Sequence, residues 1–268
     1  MQLGPATRAV LGIVTTVTLA LIYLPLFVVL LNSFSTSESL SWPPPGFTLE
    51  WWGRALQSTG ALEALGTSVA VALAASAIAL VLGTLAAMAL SRYEFFGKEA
   101  VNLLIVLPIA LPGIVTGIAL NNAFRTMMGV QLSVWTLIIA HATFCIVTVY
   151  NNAFARLNAA GTRLEDASMD LGAGLFTTFR LVTFPRLKSA LVAGGLLAFA
   201  LSFDEIIVTT FTAGNGVTTL PLWILQNMFR PSQAPVVAVI AVILVVVSVV
   251  PIAIAQRLTA KDAATVSR

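Results

Sequence analysis

The sequence predicts an all-α integral membrane protein, a single domain over 1-268 with six transmembrane helices and both termini on the inner side. Three observations carry this. The chain is 58% hydrophobic and 9% charged, whereas soluble domains carry about 25% charged residues to cover a water-facing surface. Six apolar stretches each approach or exceed the ~20 residues that a bilayer-spanning helix needs. The basic residues fall on one side of those stretches.

The first stretch, Ala9–Leu31, sits where a signal peptide would. Its apolar part exceeds the roughly 7–15 residues of a signal h-region, and no clean small-residue cleavage site follows, so it reads as a retained helix. The second, Leu65–Leu90, is dense in alanine (Ala70, Ala72, Ala74, Ala75, Ala77, Ala79). The third, Val101–Phe124, contains Gly113-x-x-x-Gly117. Small residues let helix backbones approach closely in lipid. Pro108 and Pro112 are expected to kink this third span, since each removes a backbone donor and crowds the preceding turn. The remaining spans are Ser133–Ala155, Ser189–Phe211 and Val236–Gln256.

With the N-terminus inside, the inner segments hold Arg8; Arg92 and Lys98; Arg156, Arg163, Arg180, Arg186 and Lys188; and Arg257, Lys261 and Arg268. That is eleven of the 14 basic residues; Arg54, Arg125 and Arg230 lie outside. This bias is the positive-inside rule. A net charge of +3 gives no reason to expect a nucleic-acid partner. The single cysteine, Cys145, excludes an intramolecular disulfide.

Two outer segments look structured. Asn32–Glu63 carries Trp42-Pro43-Pro44-Pro45 and then Trp51-Trp52, a proline triplet favouring extended backbone and tryptophans suited to the membrane interface. Gly214–Pro235 contains Leu220-Pro221-Leu222-Trp223-Ile224-Leu225, which reads as a short interfacial helix. Docking of an external partner and simple interfacial anchoring both account for these features.

The inner loop Arg156–Lys188 is far longer than the inner connection Ser91–Ala100, and a long loop in a compact protein usually has a task. Thr162-x-x-Glu165 fits a capping box. Leu164, Ala167, Ser168 and Leu171 follow helical spacing as a small apolar face, with Glu165, Asp166 and Asp170 opposite. Gly172 is placed to end this helix in a left-handed turn. A second short helix around Leu175–Val182 is expected to stop before Pro185.

Glu165-Asp166-Ala167-Ser168-Met169-Asp170-Leu171-Gly172, followed by Val182-Thr183-Phe184-Pro185, resembles the signature loop of binding-protein-dependent ABC importer permeases. That signature runs E-A-A, three residues, G, nine residues, then I-x-L-P. Counting back from Gly172, Asp166-Ala167-Ser168 occupies the E-A-A positions, with Asp for Glu and Ser for Ala as departures; Val182, Phe184 and Pro185 complete the match. The likeness extends to Phe47–Trp52, Leu107–Leu120, His141–Cys145 and Leu201–Gly214, in particular to the spermidine/putrescine-type permeases. The resemblance implies a type I (MetI-like) importer fold with cytoplasmic coupling helices in the bacterial inner membrane. It implies two homologous permease subunits forming the path, two ATPase subunits, and a periplasmic or extracellular solute-binding protein. It also implies that Glu165, Asp166, Ala167, Ser168, Gly172 and Pro185 carry mechanical coupling to the ATPase.

Asp204 and Glu205 form the only acidic pair within a predicted span. A carboxylate at a helix centre costs about 2.5–3.5 kcal/mol on the insertion scale, so two together need a reason. On a continuous helix, Glu205 shares a stripe with Ala198, Ser202, Thr209 and Thr212, while Asp204 lies with Leu197, Leu201, Val208 and Phe211. Glu205, Ser202 and Thr209 are therefore expected to line a wet path, and Asp204 to line it or to pair with a basic residue of a partner subunit. A carboxylate in the path suits a polyamine or another amine-bearing solute. The resemblance leaves γ-aminobutyrate, an opine or a related amino compound open.

His141 and Cys145 stand one turn apart, but no further His or Cys completes a metal site; His141 reads as a buried hydrogen-bonding residue. Tyr150-Asn151-Asn152 read as helix–helix hydrogen-bond partners. No Ser–His or Ser–Lys arrangement, HExxH motif or G-x-x-x-x-G-K-[ST] loop is present, so the chain offers no catalytic apparatus and no nucleotide site of its own. No cofactor is expected, and ATP hydrolysis falls to a partner chain. A secondary transporter coupled to protons or sodium is the competing class; it gives no account of the inner loop.

Overall fold

The computed structural model describes residues 4–38, 42–230 and 233–266. Residues 39–41 and 231–232, inside the two outer segments, and Arg268, counted among the inner basic residues, lie outside the described residues. The chain divides into two compact units, Met1–Leu62 with Trp223–Val245, and Glu63–Leu222 with Val246–Arg268.

The helices are α1 (Pro5–Asn32), α2 (Glu50–Gln57), α3 (Thr59–Arg92), α4 (Lys98–Ala110), α5 (Gly113–Asn122), α6 (Val134–Ala160), α7 (Arg163–Asp170), α8 (Leu175–Thr178), α9 (Phe184–Phe203), α10 (Ile207–Thr212), α11 (Leu220–Asn227) and α12 (Ala234–Val266). Short π-helical segments, Ala123–Met127 and Phe179–Thr183, extend α5 and join α8 to α9. Five runs are long and apolar enough to cross a membrane, and the pair Lys98–Ala110 and Gly113–Met127 makes a sixth if counted as one broken span.

In the first unit, the outer segment after α1 folds back on itself. Thr36 and Thr48 donate backbone hydrogen bonds to Gly46 and Phe34 at 3.0 and 2.6 Å. The Trp51 indole donates to the Ser35 carbonyl at 2.7 Å and is buried. Trp52 stacks on Phe34 with ring centroids 5.3 Å apart. Trp51 is thus a structural pin, while Trp42 stands exposed. The expected short helix over Leu220–Leu225 is present as α11.

The second unit is organised around α6. Its buried side chains include Leu137, Ala140, His141, Cys145, Val147, Val149, Tyr150, Ala153 and Leu157. Ala75 and Ala79 of α3, Ala198 of α9 and Val208 of α10 close around it. Gly83 explains part of this proximity: a Cβ there would lie 2.9 Å from the Ile146 carbonyl oxygen of α6. Of the predicted polar cluster, Tyr150 does join helices, donating to Asn102 of α4 at 2.6 Å. Asn152 instead bonds Thr148 of its own helix, and Asn151 is exposed.

Two spans depart from continuous helix. The third is bent by 107° between α4 and α5, well beyond a kink. Leu111 sits at φ −82°, ψ 143° because the ring of Pro112 excludes the helical region for the residue before it. Pro108, one turn earlier, is accommodated inside α4. The Gly113-x-x-x-Gly117 pair then seats α5 against α10, where a Cβ on Gly117 would meet Phe211 at 2.7 Å and one on Gly113 would meet Ile207 at 3.4 Å. The fifth span ends at Phe203 and resumes at Ile207, so Asp204, Glu205 and Ile206 lie in a break.

Candidate functional site

Two places gather the residues that the sequence singles out. The first is the inner loop. α7 runs from Arg163 to Asp170, and Gly172 at φ +85° closes it. Gly172 donates to the Met169 carbonyl at 2.9 Å and Ala173 to Ser168 at 3.1 Å, the paired bonds of a Schellman turn. Nothing lies within 4 Å of a Cβ built on Gly172, so the requirement is purely one of backbone conformation. Gly172→Ala is expected to destabilise the turn by about 1–2 kcal/mol, read as faster amide exchange over 163–173 with the rest of the loop unchanged.

The capping box does not form. Thr162 makes no side-chain cap bond. The Glu165 carboxylate turns inward, where its Oε1 pairs with Arg92 Nη2 at the end of α3 at 2.7 Å and accepts the Thr183 hydroxyl at 2.9 Å. An ion pair and a buried hydroxyl outcompete a single local amide. The inward face of α7 is accordingly Glu165 and Ser168, the latter 3.1 Å from Thr178 Oγ1. Leu164, Ala167 and Leu171, the apolar members of the expected face, are exposed. Asp166 and Pro185 are exposed as well. The second loop helix does not stop before Pro185: α8 passes through the π-helical turn into α9, and Pro185 follows directly on that turn, where the hydrogen-bond ladder already departs from the α pattern. The loop is also tied at its base, Arg156 Nε donating to the Arg186 carbonyl at 3.0 Å and Arg186 Nη2 to the Ala160 carbonyl at 2.9 Å.

The second place is the break after Phe203. The helix is interrupted, and of the expected stripe Ala198, Ser202, Thr209 and Thr212 are buried while Glu205 lies in the break. Ser202 and Thr209 are buried and turn toward α6: His141 Nδ1 lies 2.8 Å from Ser202 Oγ, and Nε2 lies 2.9 Å from Thr209 Oγ1. Thr212 is buried too, its hydroxyl bonded to the Val208 carbonyl. Glu205, expected to face a cavity, is partly buried and accepts the Val208 amide at 2.8 Å, capping the first turn of α10. Asp204 is the exposed carboxylate of the pair. It stands at the C-terminal end of α9, where the unpaired carbonyls of the last turn already favour a cation. His141 is fully buried and doubly bonded, as the sequence suggests, and the Cys145 thiol donates to the Ala198 carbonyl at 3.3 Å.

Arg92, Thr183 and Asn102 are the participants that sequence reading missed. No local pattern marks them; each is found only when its partner, 48 residues or more away for Asn102 and Arg92, is brought beside it.

Residues 79–262 match the family described as "Binding-protein-dependent transport system inner membrane component". The chain belongs to this family. The spermidine/putrescine transport system permease protein PotC of Haemophilus influenzae is 34% identical over 244 residues, 91% of this chain and 93% of that protein. PotC of Escherichia coli K12 is 34% identical over 95% of both chains. The putrescine transport system permease PotI of Escherichia coli K12 is 31% identical over 77% of this chain and 75% of its own length. Among solved structures, a bacterial ABC transporter involved in import of the acidic polysaccharide alginate superposes with a TM-score of 0.68 at 16% identity, covering 97% of this chain and 99% of that one. The inward-facing MetNI methionine transporter gives 0.58 at 16% identity, covering 83% and 100%. The fold is therefore that of a type I ABC importer permease. This chain is a transport subunit of the inner membrane and no enzyme; it works with an ATPase chain and a binding protein.

Proposed function

We propose that this permease pairs with a second, homologous permease above two ATPase subunits, and that the pair passes an amine-bearing solute of the polyamine type inward by alternating access. The observation that carries the solute class is Asp204. An exposed carboxyl group at a helix C-terminus, in a break between two half-helices, adds its oxygens to the negative end of a helix dipole. Such a place attracts ammonium groups. The naming of the relatives for spermidine and putrescine agrees with this. In this reading Glu205 serves the same path indirectly, by holding the first turn of α10. The exposed Asp166 and Ala167 of α7, with Gly172 in the turn after it and Pro185 at the start of α9, meet the ATPase, and Glu165 and Ser168 relay its movement inward.

Uptake of labelled putrescine by the reconstituted importer tests the solute assignment. Asp204→Asn is expected to lower uptake by about tenfold, ~1.4 kcal/mol of transport barrier, with normal yield of the assembled complex. Glu205→Gln is expected to keep more activity, since the amide oxygen still accepts the Val208 N–H. Normal putrescine uptake by Asp204→Asn, or preferential uptake of 2-aminoethylphosphonate, for which another 30% identical relative is named, would sink it.

A further inference from the structure

The break between α9 and α10 leaves three residues, Asp204 to Ile206, outside any helix. A three-residue link in a wet path has no reason to hold one conformation unless something outside it fixes both ends. His141 is placed to do so. Its ring lies on α6, fully buried, and each nitrogen reaches one side of the break: Nδ1 to Ser202 in the last turn of α9, Nε2 to Thr209 in α10. The hydroxyl of Thr209 donates to the Glu205 carbonyl at 2.9 Å. The same Thr209 thus links the ring to the backbone of the break itself. The outer end of α10 is held separately, by Asn121 Nδ2 on the Phe211 carbonyl at 2.5 Å and Thr136 Oγ1 on the Thr212 carbonyl at 3.1 Å. At the inner end, next to Asp204, His141 is the side chain that reaches both sides of the break, beside the Glu205 cap and the packing of Val208.

We infer that His141 is a positioning residue: an imidazole staple that sets the offset between α9 and α10 and so fixes where Asp204 stands. Its effect on transport rests on the reading of Asp204 given above; its effect on the break does not. Each ring nitrogen meets one of the two hydroxyls. Glutamine, with an amide donor and a carbonyl acceptor, is the nearest replacement, and alanine removes both contacts, leaving Thr209 only its bond to the Glu205 carbonyl.

The test uses the whole importer, ATPase and binding protein included, in lipid nanodiscs for amide exchange and in proteoliposomes for labelled putrescine uptake. In His141→Ala, amides of residues 206–213 are expected to exchange about tenfold faster while those of 184–200 keep their protection. His141→Gln is expected to stay nearer the wild type. Uptake by His141→Ala should fall about tenfold, and the loss should largely vanish when Asp204 is already asparagine, because both changes remove the same placed carboxylate. Unchanged exchange across 206–213 overturns the staple, as does protection lost equally throughout α9, which would make His141 a general packing residue. Uptake losses that multiply in the double variant overturn its action through Asp204. If Asp204→Asn alone transports normally, the solute reading falls while the exchange measurement still decides the staple.

Discussion

Glu165→Ala is expected to leave the coupling loop folded but disconnected, with ATP hydrolysis continuing while solute uptake falls by about tenfold. The carboxylate lies where three elements meet: it sits on α7, pairs with Arg92 at the end of α3, and accepts from Thr183 in the turn that leads into α9. Both charged side chains are largely shielded, with 16% and 12% of their surface exposed. Removing one partner of such a pair strands the other, at a cost of about 3 kcal/mol, the lower end of the range for buried pairs because some solvent still reaches it. That cost falls on the joint between loop and membrane helices, so movement of α7 would no longer be passed on to α3 and α9. Glu165→Gln keeps an acceptor for both donors and should lie between. The charge-exchanged pair Arg92→Glu with Glu165→Arg should recover part of the coupling, which neither single exchange can do. The measurement is ATP hydrolysed per putrescine imported. An unchanged ratio in Glu165→Ala would show that the joint carries no motion.

The same residue shows why local sequence patterns mislead here. Thr162-x-x-Glu165 satisfies the spacing of a capping box, and nothing nearby argues against it. What decides the matter is Arg92, 73 residues earlier, which no window of the loop contains. Gly172 was legible because its cause is local: a left-handed turn at the end of an amphipathic helix needs no distant partner. The membrane spans were legible for a related reason. Hydropathy sums over about 20 residues, and the observed helices match the predicted stretches within several residues at most ends. Such a sum cannot see a break. The window over Ser189–Phe211 stays apolar through Asp204-Glu205 and so predicts a continuous helix. Ser202 and Thr209 share a face in either case and both meet His141; what the break changes is the acidic pair, leaving Asp204 as the exposed acid. The acidic pair itself is the signal: two carboxylates within a span are costly on a regular helix, and a break lets one cap a half-helix while the other stands exposed on this chain. In the third span the prolines gave warning. The bend falls at Leu111-Pro112 and not at Pro108, because the steric effect of a proline on its predecessor ends a helix when the next residues are glycine and a fresh first turn.

Gly214→Ala is expected to be the most damaging single methyl in the second unit. Its φ is not in the left-handed region, so the objection is to volume. A Cβ there would lie 2.6 Å from the Leu132 carbonyl carbon and 2.7 Å from the Ser133 Cα, and it would press on the Leu132 oxygen. All three are backbone atoms, which cannot swing aside as a side chain would. They also sit at the start of α6, the helix around which the unit packs. Ser133 caps it, accepting from Trp135 N at 3.3 Å, with its own amide donated to Thr136 Oγ1 at 2.8 Å. The Thr136 hydroxyl is shared between the Ser133 carbonyl at 2.8 Å and the Thr212 carbonyl at 3.1 Å, two residues before Gly214. Moving Gly214 outward therefore loosens the cap of α6 and the outer tether of α10 together. Overpacking costs about 1–3 kcal/mol where neighbours can adjust, and the rigid backbone on every side puts this site at or above the top of that range. The purified importer should lose about 10 °C of thermal midpoint, or fail to assemble. Gly174→Ala is the control, since a Cβ there meets nothing within 4 Å and φ is −72°; it should change stability by no more than about 0.5 kcal/mol. Equal behaviour of the two variants would mean that α6 tolerates displacement of its first turn, and the packing of α6 as the fixed centre of this unit would have to be given up.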